Sequence, residues 1–400
     1  MGASRRAAGL ISAAVLALAT AAATGVPAHA DDRSASVRAP NEMPNGMSPW
    51  ERVPLPPLRG QTDLVDLAAV GPNDVWAVGY VRSSWGVETL VLRWDGKRWK
   101  RVPSPNPSDD QNWLLAVDGT SAKDVWAVGY ELDEDRRHRM LVLHWNGARW
   151  RVVPTPGVGE ELESTLVDVE ALSPTDVWAV GTATGWPLTG RTLTLHWDGQ
   201  RWTRVESPNP STEGLGSNLV GVAASSADEV WAVGDDDPSG TFGMQPLAER
   251  WDGASWSVVP TPAVPEDAML GSLGIAAADD VWAVGYRTVD GLPQPLAERW
   301  DGESWRAVKT PVFDGVEATF NDVVVRGRDD VWVIGTKGRG TLIAHWDGSS
   351  WTLVPGAEPG QFVTSLAAAT EEPGTGCLWA VGQFTDGERA EAFVERSCPS

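Results

Sequence analysis

The chain has 400 residues, 23 of them tryptophan, with two cysteines and a formal net charge of −22. That charge repels nucleic-acid phosphates and anionic lipid, and no basic cluster offsets it, so neither partner is expected. Length alone would allow two or three domains, but an internal repeat overrides that prior.

Arg5 and Arg6 precede an apolar run at residues 7–23, and Ala28-His29-Ala30 has the form of a cleavage site. Residues 1–30 therefore read as a secretory signal peptide, and the protein as secreted and extracellular. No later stretch approaches about 18 consecutive apolar residues, so no membrane span is expected. Residues 31–46 are polar and aperiodic, which suits a flexible leader. Residues 47–400 read as one repeat domain.

The repeat is organised on Asp124-Val125-Trp126-Ala127-Val128-Gly129. Related hexapeptides carry Trp76, Trp178, Trp231, Trp282, Trp332 and Trp379, making seven copies at a period of about 50 residues. One unit shows the plan. Residues 64–70 alternate as a strand, residues 71–74 turn, and residues 75–80 form a second strand. A variable loop precedes a third strand at 90–94. Asp95-Gly96 then turns into a fourth strand at 99–102. Asp-Gly or Asn-Gly between apolar runs is a strong signal for a tight hairpin with positive φ at both central residues. It recurs at Asn146-Gly147, Asp198-Gly199, Asp252-Gly253, Asp301-Gly302 and Asp347-Gly348.

Four short antiparallel strands per unit describe a propeller blade. The expected fold is all-β: a seven-bladed β-propeller. Its seventh unit lacks a fourth strand, whereas residues 50–53 precede the first unit as a surplus one. The N-terminal strand is therefore expected to complete the last blade and close the ring. Aligning the seventh unit places Cys377 at the start of its second strand and Cys398 at the end of its third. These strands are antiparallel neighbours, so a disulfide is expected.

The Val-Trp strand and the Asp-Gly-x-x-Trp hairpin resemble Trp-rich propeller repeats of the tectonin and tachylectin kind, and more distantly WD40 and kelch blades. Resemblance to the first group implies carbohydrate binding.

The repeat also sorts the titratable residues. His144, His196 and His345 share a third-strand slot with Arg93, Arg250, Arg299 and Arg396. Asp74, Asp124, Asp176, Glu229, Asp280 and Asp330 occupy the facing slot on strand two. Repeated cross-strand pairs of this kind are structural, worth roughly 0.2–1 kcal/mol each. No histidine pair at metal-ligand spacing, nucleophile elbow or phosphate loop occurs. Catalysis is not expected, and calcium is the one cofactor worth weighing. It would use Asp235, Asp236 and Asp237, although three consecutive acids suit a solvated loop better.

Variation is confined to the loops between strands two and three and to the connections between units, which share one face. Three tryptophans lie off the repeat template: Trp85, Trp113 and Trp186. Exposed rings there suit stacking on sugars, Trp85 and Trp186 in loops more than Trp113, which sits at a strand entrance and suits the core as well. Asp109, Asp110, Glu160, Glu161, Glu266 and Asp267 lie in connections on that face and suit hydrogen bonds to hydroxyl groups. The reading is a monomeric, non-catalytic binding protein for carbohydrate or cell-wall glycan. The alternatives are an extracellular protein-interaction scaffold and a glycan hydrolase or lyase. An enzyme would bring acids of raised pKa together at the axis.

Overall fold

The computed structural model describes residues 43–400, other than 160–161, 186–188, 212–213, 239–242, 358–362 and 386–388. The expected signal segment, Trp186, Glu160 and Glu161 lie outside the described residues. The architecture is all-β, in four-stranded antiparallel sheets. The first unit pairs Gln61–Gly71, Asp74–Ser83, Gly86–Trp94 and Trp99–Arg101 in that order. The same order recurs along the chain. The third and fourth units join into one eight-stranded sheet through a single parallel pairing, Gly190 with Gly216.

The last sheet borrows from the far end of the chain. Glu51–Arg52 pairs antiparallel with Ala390–Ser397, Glu51 facing Arg396 and Arg52 facing Glu395. Ser48 donates its N–H to the Cys398 carbonyl at 2.7 Å, and buried Met47 bridges to Pro399. Cys377 and Cys398 form a disulfide beside these contacts.

Burial follows the repeat. All seven second-strand tryptophans are fully buried. Each packs against the next sheet: Trp76 lies 5.1 Å from Trp145 and 5.4 Å from Trp150, the second contact edge-on. The pattern recurs for Trp126, Trp178, Trp231 and Trp282. Trp332 shares a cluster with Trp50, and Trp379 of the last unit packs on Trp94 and Trp99 of the first. Edge-to-face contacts between large rings add about 0.5–1.5 kcal/mol each beyond their buried area. The apolar core is thus a series of clusters between sheets.

The glycine ending each Val-Trp word has a steric cause. Every first strand carries a bulge, as between Leu64 and Asp66, which presses backbone onto strand two. A Cβ on Gly79 would lie 2.1 Å from the Asp63 carbonyl oxygen.

The Asp-Gly hairpins differ from the expected two-residue turns. Trp94 pairs with Trp99, so four residues form the loop, and Gly96 supplies its positive φ of 85°. Asp95 Oδ1 instead accepts the N–H groups of Lys97 and Arg98, an Asx arrangement that needs no positive φ at the aspartate. Asp290-Gly291, between strands two and three of the fifth unit, does form a hairpin turn with positive φ at both residues.

Candidate functional site

The expected acid–base pairs form in six units. Arg93 holds Asp74 through two bonds of 2.7 and 2.8 Å, and Arg250 grips Glu229 likewise. His144, His196 and His345 meet Asp124, Asp176 and Asp330 at 2.7–2.9 Å, and Arg299 meets Asp280 at 2.6 Å. Each arginine or histidine also lies over its unit's buried tryptophan, the Arg93 guanidinium at 4.7 Å from the Trp76 ring and the His144 ring stacked at 4.2 Å from Trp126. Burial pushes Asp124 up, but hydrogen bonds from His144 and Thr120 outweigh it and hold the carboxyl below its usual range. These are repeated packing devices.

A second set of acids lies on the innermost strands. Asp66, Asp168 and Asp322 occupy the bulge slot of the first, third and sixth units. Each caps its own bulge and reaches the next unit. Asp66 Oδ1 accepts the Leu67 N–H at 2.8 Å and Oδ2 the Val117 N–H at 2.7 Å. Asp168 takes Val169 and Val222, and Asp322 takes Val323 and Ala369. Asp118 accepts from Ala171 in the same inter-unit manner. Burial pushes Asp168 up to about 7 and Asp118 to about 6, with neighbouring acids adding to the rise. Asp66 is raised by burial and then by Asp168. All are half-buried, and loss of hydration is the largest cause of their raised values. Carboxyls of raised pKa do converge, as an enzyme would require, but both oxygens of Asp66, Asp168 and Asp322 already accept backbone donors.

The loop face is different. The Asp74–Ser83 and Gly86–Trp94 strands are joined by a short turn that lifts Trp85 to 90% exposure. Ser83 Oγ accepts the Trp85 N–H at 3.1 Å. The turn is anchored from below: Val87 donates to the Asp110 carbonyl at 2.9 Å, and a Cβ on Gly86 would lie 2.2 Å from that oxygen. Beside the turn lies a cleft of about 560 Å³ lined by Arg82–Val87, Asp110, Gln111 and Trp113. A second, of about 490 Å³, is lined by Gly60, Gln61, Arg82, Ser83, Ser84 and Arg389. Both fall within the roughly 300–1,000 Å³ of small-molecule sites.

Trp85, Asp110 and Trp113 thus meet at one cleft, but in unequal roles. Trp113 is not an exposed stacking ring. It is 5% exposed, held between Tyr80 at 4.1 Å and Tyr130 at 5.7 Å, with its Nε1 donating to Gln111 Oε1. The reason is that Tyr80 and Tyr130 occupy the same slot in adjacent units and close on it. Asp110 is hydrogen-bonded by Arg136, and Asp109 is exposed next to it in the chain. Glu266 and Asp267 belong elsewhere, between units four and five, where Asp267 accepts the Met244 N–H and exposed Glu266 lends its carbonyl to Gln245.

Asp235, Asp236 and Asp237 form no solvated loop. They end the strand Glu229–Asp237, where the period of two sends Asp236 to the face opposite Asp235 and Asp237. Asp236 accepts from Ser211 and Ser217, and Asp235 from Asn218. Among the described residues no group of three potential ligands is placed to hold a metal ion.

Composition did not single out Arg82, Ser83, Ser84 or Gln111: the first three adjoin Trp85 in the chain without a motif to mark them, and Gln111 is brought beside it only by the fold. The inner acids did leave a signal: Asp66, Asp168 and Asp322 each precede the motif acid by the same interval.

No protein-family model and no curated protein matches the sequence. Among solved structures, YCF48 bound to D1 peptide aligns over 91% of this chain and 98% of its own, at 14% identity and a TM-score of 0.56. The polysaccharide lyase Uly1 aligns over 83% of this chain and 90% of its own, at 10% identity and a TM-score of 0.49. No helix among the described residues is long and apolar enough to cross a membrane. At 14% identity the likeness to YCF48 speaks to fold alone, and with the four-stranded antiparallel sheets it makes this chain a β-propeller.

Proposed function

We propose that the chain is an exported, non-catalytic binding protein, built as a seven-bladed ring, which holds carbohydrate at the cleft beside Trp85. The Glu51–Arg52 pairing with the last sheet and the packing of Trp379 on the first unit support the closed ring. The disulfide suits an oxidising compartment. The observation that carries the function is Trp85 itself. A large ring held 90% exposed on a braced turn, beside a cleft, presents a flat apolar face with a polar N–H edge to a ligand. Its flat apolar face matches the C–H face of a pyranose, and Ser83, Ser84 and Gln111 offer donors and acceptors to hydroxyl groups.

The second reading is a protein partner on the same face. It draws support from YCF48, a chain of like fold bound to a peptide. A hydrolase or lyase would need two carboxyls open to substrate, and the inner acids are committed to backbone donors.

The test is binding of the purified chain to a glycan array and to insoluble cell-wall polysaccharide, with Trp85→Ala alongside and a displayed peptide library as the other arm. Loss of about tenfold or more in glycan affinity in the variant is expected, roughly 1.4 kcal/mol. Peptide capture without any glycan binding would overturn the carbohydrate reading in favour of the second.

A further inference from the structure

The two clefts flanking Trp85 share Arg82, Ser83 and Ser84. They are adjoining depressions on either side of one turn, the first reaching towards the last unit through Arg389 and the second towards the second unit through Asp110 and Gln111. A ligand crossing the turn would touch three units, which a single sugar is too small to do.

Charge is the second observation. In a chain of net charge −22, the junction of the two clefts carries an exposed arginine. The Arg82 guanidinium lies 5.4 Å from the Trp113 ring centre and 6.0 Å from Tyr80. Aromatic faces orient a guanidinium without neutralising it, and leave its N–H edge for an oxyanion. No salt bridge joins Arg82 to a carboxyl among the described residues, although buried Asp63 lies within range of its charge. Asp110 is held by Arg136, and buried Asp63 accepts the Tyr80 hydroxyl at 2.9 Å. The planar fork of an arginine matches a carboxylate in two parallel bonds, a geometry that neutral hydroxyls do not exploit.

We propose that the two clefts are neighbouring subsites of one groove for an extended, carboxylated glycan such as a polyuronate. Arg82 binds a sugar carboxylate at the junction, and Trp85 stacks on an adjacent ring. This rests on the carbohydrate reading above and deepens it. General attraction for polyanions is not the mechanism, because the field of the whole protein repels them. Selectivity is local to Arg82.

The experiment is calorimetric titration of the full chain with oligogalacturonate, alginate and hyaluronate fragments of graded length, each beside its carboxyl-reduced neutral counterpart. Dextran sulfate serves as the polyanion control. Wild type, Arg82→Gln and Trp85→Ala are compared after their melting curves confirm folding. At least one acidic series should bind about tenfold or more tightly than its reduced counterpart. Affinity should rise with length until both clefts are filled. Arg82→Gln should abolish that preference by costing the acidic form about tenfold more affinity than the reduced form, whereas Trp85→Ala should weaken both forms to a similar extent. Equal binding of acidic and reduced forms, or equal loss of both in Arg82→Gln, would overturn the acidic-glycan proposal and leave the carbohydrate reading standing. Dextran sulfate binding as tightly as the best uronate would also overturn it. Failure of every acidic and reduced fragment to bind wild type would overturn it as well, and neutral glycans on the array would then decide the broader reading.

Discussion

The acids on the second strands and those on the innermost strands are the same residue types placed in opposite electrostatic settings. Asp74, Asp124 and their counterparts meet an arginine or a histidine across one ladder, inside one unit. Asp66, Asp168 and Asp322 meet backbone N–H groups of their own bulge and of the next unit, beside one another. The first arrangement holds the Asp124 and Asp330 carboxyls below their usual range, and the second pushes Asp66, Asp168 and Asp322 above it. A third setting is harsher. Glu249 and Glu298, at one third-strand slot of the fourth and fifth units, are fully buried, and neither oxygen has a hydrogen-bond partner among the described residues. Leu92, Leu143 and Leu195 fill that slot in the first three units. Glu395 of the seventh unit shares the slot and accepts the Ala357 N–H at 2.8 Å. A carboxyl is therefore tolerated where a neighbour donates and is strained where none does.

The comparison can be broken first at the seventh unit, where Cys377 takes the acid's slot and bonds to Cys398 while Arg396 turns to Glu51. Its bridge spans a sequence separation of 21. Closure of a loop of that size is worth about 3 kcal/mol. Cys377→Ser with Cys398→Ser should lower denaturant stability by that amount, more than loss of any single ion pair. A smaller loss than in an ion-pair variant would show that the covalent link adds little to a C-terminus already held by Ser48 and Ser400 contacts. Asp168→Ala comes next. It strands the Val169 and Val222 N–H groups, at a cost of about 2 kcal/mol. Equilibrium unfolding should show the loss, and Asp168→Asn, which keeps one acceptor and removes the charge, should recover part of it.

Glu298→Leu should act in the other direction. Burial alone pushes Glu298, like Glu249, up to about 8. The unfolded chain ionises from about 4.5, so the unfolded state loses its proton first as pH rises. Stability is fullest below about pH 4.5 and declines until about pH 8. Leucine at this slot, as in the first three units, should stabilise by about 2 kcal/mol at neutral pH and flatten that decline. An unchanged pH profile in the Glu249→Leu, Glu298→Leu double variant would show that these two carboxyls do not set it.

What could be read in advance followed from how far apart the partners lie. The repeat, the four strands, the disulfide and the six ion pairs rest on residues within one unit or on a word repeated along the chain. Trp85 stood out because it breaks the template. The inner acids were missed as a functional grouping because their donors lie in the next unit, and a backbone bulge creates half of them. Trp113 reads as loop-face aromatic until Tyr80 and Tyr130 close on it from two units. Arg82 gained its role only when Gly60 and Arg389, from opposite ends of the domain, were brought beside it.

The smallest effect gives the sharpest sign. Asp124 is held below its ordinary value, burial being outweighed by His144 and Thr120. Its contribution is therefore present above the unfolded value of 3.8 and lost as pH falls through the folded one. Asp168 works in reverse, contributing most below 3.8 and losing its share as pH rises to about 7. Asp124→Asn should cost less than about 1 kcal/mol at neutral pH, because the pair is only partly buried. That cost should fade at acid pH, while the penalty of Asp168→Ala should grow there, since the protonated carboxyl is the form its surroundings favour. Unfolding curves of both variants across the acid range test the contrast directly. Parallel pH profiles would mean that the two settings differ in geometry but not in the charge state they select.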